Sequence, residues 1–168
     1  QNCIFILNAG HETTTNLIGN ALYELLEWPK ERQRLLADPD LIQTAVDEFL
    51  RFQSPNQLGN RRTVEPTEFH GETLPPGTRI HLAIGAANRD PRQFPDPDRL
   101  DLSRKPNKHL AFAGGPHLCV GFSLAKMEGR IAVSRFLKRF PGYKLNGEAR
   151  RTGRVRFRGF SAFPARMG

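Results

Sequence analysis

The chain has 168 residues, 38% hydrophobic and 25% charged, which is enough for one domain with a core and excludes a disordered tail. Its two cysteines, Cys3 and Cys119, exclude a disulfide framework and suit a reducing compartment, and no run approaches the roughly 18 apolar residues of a membrane span. A formal net charge of +8 implies an acidic partner surface, an anionic ligand or nucleic acid, or else a solvated basic face.

The chain opens on QNCIFILNAG, without initiator Met, basic n-region or small-residue cleavage site, so no signal peptide is read. It is expected to start inside a helix and to be a fragment. Residues 2–27 carry Leu17, Ile18, Ala21, Leu22, Leu25 and Leu26 at helical spacing. WPKERQ breaks this helix and starts another, because Pro29 suits a first helical turn. Asp38 and Asp40 are caps for a third helix, LIQTAVDEFLRFQ, that ends before Pro55. From 56 to 84 the pattern changes to strands, with Ile80, Leu82 and Ile84 on one face after the tight turn LPPGT. Residues 88–118 are proline-rich and aperiodic, and a loop that long usually has a function. A helix from about 121 to 140 follows, with Leu124, Ile131, Phe136 and Phe140 as buried candidates. Short strands are expected around YKL and RVRFRGF. The chain thus reads as mainly α with small β-sheets, an α+β arrangement.

The stretch FAGGPHLCVG, Phe112 to Gly121, sets one thiol at the mouth of a helix. There the positive end of the helix dipole favours thiolate. Gly114, Gly115 and Gly121 permit tight turns and close approach of a flat ligand. A buried inert thiol, a nucleophile and a metal ligand all remain open. Zinc needs four ligands, whereas His117 and Cys119 supply only part of such a set, and no CxxC or HxxxH accompanies them. A single thiolate suits an iron already held by equatorial nitrogens, which is haem.

In AGHETTTN the HExxH zinc pattern fails, because Thr15 stands where its second histidine would be. Gly10 in mid-helix costs roughly 1 kcal/mol against Ala, and Thr13 is expected to bond back to a carbonyl one turn earlier. A polar face on a mildly unstable helix is one reading. A proton relay made of the Thr13 hydroxyl and the Glu12 carboxylate is the other. Glu48 and Arg51 in DEFLR share a helix face. As a surface pair they would contribute under about 1 kcal/mol. Their meaning changes if Arg99, in PDPDRLD, reaches the same carboxylate and pins the irregular segment to the helix.

The order AGHETT, EFLR, PDPDRLD, FAGGPHLCVG resembles the C-terminal part of the cytochrome P450 superfamily, the haem-thiolate monooxygenases. The family's cysteine signature F-x-x-G-x-H-x-C-x-G is matched by Phe112, Gly115, His117, Cys119 and Gly121. AGHETT, ANRDP and GGPHLC look like the soluble bacterial branch. The resemblance runs over essentially the whole chain. It implies that residues 1–168 are the C-terminal portion of a single cytochrome P450 domain, from the central oxygen-activating helix to the C-terminus. The distal helices and substrate-recognition loops have no counterpart.

By position, the resemblance implies haem b (iron protoporphyrin IX) as cofactor, with Cys119 as the axial ligand of its iron. Phe112 and Gly121 fall in the haem loop, and His117 and Arg61 where the family contacts the haem propionates, with Arg62 adjacent to Arg61. Thr13 with Glu12 matches the alcohol–acid pair that delivers protons during oxygen activation. Glu48 and Arg51 match a structural E-x-x-R pair, and Arg99 its partner. Two departures are local: Ala113 stands where glycine is common, and Leu100 where an aromatic is usual.

The implied activity is insertion of one oxygen atom into a small hydrophobic substrate in a bacterial cytoplasm. No flavin or nicotinamide fingerprint is present, so electrons are expected from a ferredoxin-type donor with its reductase. Lys105, Lys108, Lys126 and Arg130 are expected to face that donor. The alternative is a truncated, non-catalytic remnant of such an enzyme. A small metal-binding or nucleic-acid module is favoured by charge alone, and no basic–aromatic signature supports nucleic acid.

Overall fold

The computed structural model describes residues 1–168. Apolar residues at helical spacing produce α1, Asn2–Glu27, in which Leu17, Ala21, Leu22 and Leu25 are buried and Ile18 and Leu26 pack at the edge of the core. The helix stops at Trp28, and Pro29 opens α2, Pro29–Ala37, where its missing N–H would have had no partner. The Asp38 carboxylate accepts from the Asp40 N–H and so caps a single 3-10 turn, Pro39–Leu41. The third helix, α3, therefore runs Ile42–Phe52.

The strand region forms two antiparallel hairpins. β1 (Leu58–Arg62) pairs with β4 (Arg79–Ala83), and between them β2 (Thr67–Phe69) pairs with β3 (Glu72–Leu74). LPPGT is a turn in which Gly77 adopts φ +88°, a left-handed conformation that glycine takes without Cβ strain. The expected common face of Ile80, Leu82 and Ile84 is cut short. The strand ends at Ala83, and Ile84 begins the short helix α4, Ile84–Ala87, where it is buried while Leu82 stays exposed.

Residues 88–118 contain no strand and no α-helix, as expected, yet the segment is anchored: Phe94, Leu100 and Leu102 are buried. Leucine fills the place of the usual aromatic at 100 without leaving the core. The long helix α5, Phe122–Arg139, then crosses α1 and α3. Its buried side is Gly129, Val133 and Leu137, with Phe136 and Phe140 packed against the core. Leu124 and Ile131, expected to be buried, are exposed. Successive helical residues are separated by roughly 100°, which puts these two opposite Val133.

The C-terminal region adds two small antiparallel sheets. β5 (Lys144–Leu145) pairs with β8 (Ala165–Arg166), and β6 (Arg150–Arg151) with β7 (Phe160–Ala162). RVRFRGF, expected to be a strand, is mostly loop. Phe160 alone enters a ladder, and Phe157 makes an isolated bridge to Asn56. The core runs between α1, α3 and α5, around Leu17, Leu25, Val46, Phe49, Val133, Leu137 and Tyr143. Tyr143 spans the packing by donating its hydroxyl to the Leu22 carbonyl at 2.6 Å. No helix is long and apolar enough to cross a membrane.

Candidate functional site

The cysteine loop is shaped by backbone bonds. The Cys119 N–H donates to the Phe112 carbonyl at 3.0 Å, while the Cys119 carbonyl accepts from the Phe122 N–H at 3.3 Å as α5 begins. Between these anchors the His117 and Leu118 N–H groups donate to Gly114 and Gly115, closing a 3-10 turn. Gly115 takes φ +58°, and Ala113 takes φ +59°. For alanine that left-handed conformation costs roughly 1–2 kcal/mol. Glycine would adopt it freely, which accounts physically for a glycine preference at this position.

Cys119 is a free, exposed thiol. Leu118 and Phe122 are exposed beside it, and Val120 is fully so. A Cβ built at Gly114 or Gly115 would meet no atom within 4 Å. Behind the loop, Phe112 packs against the rings of Phe122 and His109, with centroids at 6.2 and 5.8 Å. Gly121 precedes α5, and a Cβ there would lie 4.0 Å from Cys119 Sγ. An accessible sulfur, an apolar rim and an unobstructed backbone fit a flat macrocycle ligated from below. No group of three or more His, Cys, Asp or Glu side chains is gathered to hold a metal ion by itself.

The other residues expected at the site are distributed as follows. Thr13 donates its hydroxyl to the Ala9 carbonyl at 3.0 Å, one turn back. Glu12 pairs with Arg154 from the C-terminal loop. No hydrogen bond or ion pair joins Thr13 or Glu12 to the cysteine loop. His117 is exposed at the loop. Arg61 donates only to its neighbour, the Asn60 carbonyl, whereas Arg62 is committed to the Gly77 carbonyl at 3.1 Å. Of the two arginines, Arg61 has the freer guanidinium.

Glu48 and Arg51 are not a surface pair. Both side chains are fully buried and joined by two hydrogen bonds, of 2.8 and 2.9 Å. Arg51 also donates to the carbonyls of Asn88, Pro97 and Arg99. Glu48 accepts from the Asp101 N–H, Arg104 Nε and Asn107 Nδ2. The expectation for Arg99 is corrected here. Its side chain is exposed and its carbonyl is what meets Arg51; the arginine that reaches Glu48 is Arg104. Leu100 and Leu102 are buried in the core, and Arg104 follows two residues after Leu102.

The sequence reading also missed Asn88, which is fully buried. It donates to Ser54 Oγ at 2.8 Å and accepts from the Leu110 N–H at 2.7 Å, tying the irregular segment to the end of α3. Asparagine mid-loop gives no periodic signal. Of the four basic residues expected on a partner surface, Lys105 and Lys108 are exposed. Lys126 is drawn to Asp47, and Arg130 turns toward the Gln43 carbonyl.

The fold and the loop define a haem-thiolate class of protein, and comparison with known proteins gives the family. A family model described as Cytochrome P450 matches residues 1–149. The chain belongs to the cytochrome P450 family. It is 46% identical over 145 residues to a biotin biosynthesis cytochrome P450 of Bacillus subtilis, a match covering 86% of this chain and 37% of that protein. It is 43% identical to a vitamin D(3) 25-hydroxylase of Pseudonocardia autotrophica, covering 98% of this chain and 42% of the relative. Among solved structures, P450BioI in complex with an acyl carrier protein ligated to hexadec-9Z-enoic acid has a TM-score of 0.95 at 43% identity. That match covers 99% of this chain and 44% of the other. CYP109E1 of Bacillus megaterium in complex with testosterone also has a TM-score of 0.95, at 34% identity, covering 98% of this chain and 46% of the other. The chain thus spans about two-fifths of the length of the curated relatives it matches. Proteins of this family bind haem b.

Proposed function

We propose that residues 1–168 form the haem-ligating, proton-delivering C-terminal portion of one monooxygenase domain. The enzyme inserts one oxygen atom into a small hydrophobic substrate. The observation that carries this reading is Cys119 itself, exposed at the mouth of α5, with its amide held by the Phe112 carbonyl at 3.0 Å. When bound, haem supplies the redox-active iron at which dioxygen is reduced. Cys119 would hold the haem iron through its sulfur, with its backbone fixed by the bond to the Phe112 carbonyl and by the Gly121 turn that opens α5. His117 and Arg61 would offer a ring N–H and a guanidinium to the two propionates.

The proton path lies on α1. Thr13 donates its one hydroxyl hydrogen to the Ala9 carbonyl, so as it stands its oxygen can accept from a water. To hand a proton inward, the hydroxyl rotates off Ala9 and takes a replacement proton from that water. Glu12 is half-exposed and held by Arg154, which suits it to take up protons from solvent for the relay. The exposed Lys105 and Lys108 are the remaining basic candidates for contact with an acidic ferredoxin-type donor, served by its reductase. The apolar ligands named with P450BioI and CYP109E1 support a hydrophobic substrate, and the bacterial relatives support a bacterial, cytoplasmic setting.

The deciding experiment is spectroscopic. In the complete protein, reduced haem with carbon monoxide gives the red-shifted Soret band of thiolate ligation, and Cys119→Ser abolishes it. A histidine-like carbonyl spectrum in the parent protein refutes the assignment.

A further inference from the structure

One carboxylate holds both ends of the cysteine loop. Asp47 lies on α3 next to Glu48, but roughly 100° around the helix, and serves a different segment. Its Oδ1 accepts from His109 Nε2 at 3.1 Å and from Lys126 Nζ at 2.7 Å. His109 stands just before Phe112, and Lys126 lies in the first turns of α5, so residues 110–125 lie between the two donors. We propose that Asp47 is a positioning residue that closes the cysteine loop at both stems and thereby sets the placement of Cys119.

The surroundings support a clamp over an incidental surface contact. The His109 side chain is 6% exposed, and those of Asp47 and Lys126 are 22% and 24% exposed. Burial alone would raise the Asp47 carboxyl, but the hydrogen bonds from His109 and Lys126 and the charge of Lys126 outweigh it and hold the group below its ordinary value. His109 is used at both nitrogens: Nε2 donates to Asp47, and Nδ1 accepts from the Ala111 N–H at 3.3 Å. Its ring also packs on Phe112, whose carbonyl receives the Cys119 amide. A continuous chain of contacts therefore runs from α3 to the sulfur-bearing residue. Glu48 does not duplicate it, because its partners outside α3 are Asp101, Arg104 and Asn107, upstream of the loop.

This inference rests on the reading of Cys119 as the haem ligand, so two readouts are taken on the complete holoprotein. Hydrogen exchange at the Cys119 amide reports loop closure, and the reduced carbonyl spectrum reports thiolate ligation. Asp47→Ala is expected to speed Cys119 exchange by about 10-fold or more, to lower the thiolate-type fraction, and to leave the Phe49 and Val133 amides unchanged. Lys126→Met and His109→Phe should each give a smaller increase, and neither should add to Asp47→Ala. Asp47→Asn, which keeps an acceptor but loses the charge, should fall between parent and Asp47→Ala. If Asp47→Ala does not fold, Lys126→Met carries the test, since it leaves the His109 contact intact. Parent-like exchange at Cys119 in Asp47→Ala or Lys126→Met, or full additivity of the pair, overturns the clamp. Faster exchange in a protein whose parent lacks the thiolate spectrum overturns the ligand assignment and leaves the clamp standing.

Discussion

Thr13 and Arg104 show how much depends on the far end of one side chain. Threonine in a helix returns its hydroxyl to a carbonyl one turn back, a habit with no functional meaning in itself. Here the bond to Ala9 also fixes the direction of the oxygen lone pairs. In the complete enzyme Thr13→Ala should retain haem and oxygen consumption while product formation falls by about 10²-fold, the missing electrons appearing as hydrogen peroxide. Unchanged product per electron would reduce Thr13 to a packing role. The buried Glu48–Arg51 pair works differently, because its charges are out of water and each must stay partnered. Breaking such a pair from one side costs about 3–5 kcal/mol, so Glu48→Ala should be severe. Arg104→Ala removes one of several donors to Glu48 and should cost about 1–3 kcal/mol. Arg99→Ala, which trims an exposed side chain, should stay within about 0.5 kcal/mol of parent. Urea midpoints of the three variants in the complete protein give the order directly; an Arg99→Ala loss matching that of Arg104→Ala would contradict the geometry.

At the scale of elements, α5 comes close to both α1 and α3 at Gly129. A Cβ there would lie 3.1 Å from Leu17 Cδ2 on α1 and 3.4 Å from Val46 Cγ1 on α3. Alanine would gain roughly 1 kcal/mol of helix propensity, but overpacking costs about 1–3 kcal/mol, and the β-branched Val46 has little rotamer freedom to yield. Gly129→Ala should therefore destabilise by about 1 kcal/mol, read as a lower urea midpoint at unchanged slope. A gain in stability would mean that α5 shifts at no cost. This crossing also shows what was legible in the sequence. Helix existence and breaks followed from periodicity and from Pro29, and the cysteine motif named its own loop. Which face of α5 is buried did not follow: Leu124 and Ile131 are as apolar as Val133, and only the glycine opposite Leu17 marks the contact side. The partner of Glu48 was misassigned for a related reason. An irregular segment has no period from which to compute where Arg99 or Arg104 will point, and its path is set by burial of Leu100 and Leu102. Asp47, His109 and Lys126 are far apart in sequence and unremarkable singly, so their convergence is visible only in three dimensions.

For the whole molecule, the outward face of α5 decides how these 168 residues behave by themselves. Leu124, Met127 and Ile131 are exposed and recur at helical spacing on one stripe of α5, and Val120 is exposed in the loop just before it. On α1, Ile4, Phe5, Ile6 and Leu7 are exposed together in the first turns. Contiguous apolar surface of this kind marks contact faces or drives aggregation, and a net charge of +8 opposes association only at low ionic strength. Expressed alone, the chain is expected to associate with rising concentration and rising salt in sedimentation experiments. Leu124→Glu combined with Ile131→Lys should reduce that association without unfolding the core, because both side chains point away from Val133 and Leu137. Monooxygenase turnover with a surrogate ferredoxin pair is expected to be absent, since haem needs a protein wall on both faces and Cys119 lies open to water. A monodisperse, haem-loaded 168-residue monomer that hydroxylates a test substrate would show that α1 and the cysteine loop suffice for catalysis, and would refute this account of the exposed stripes.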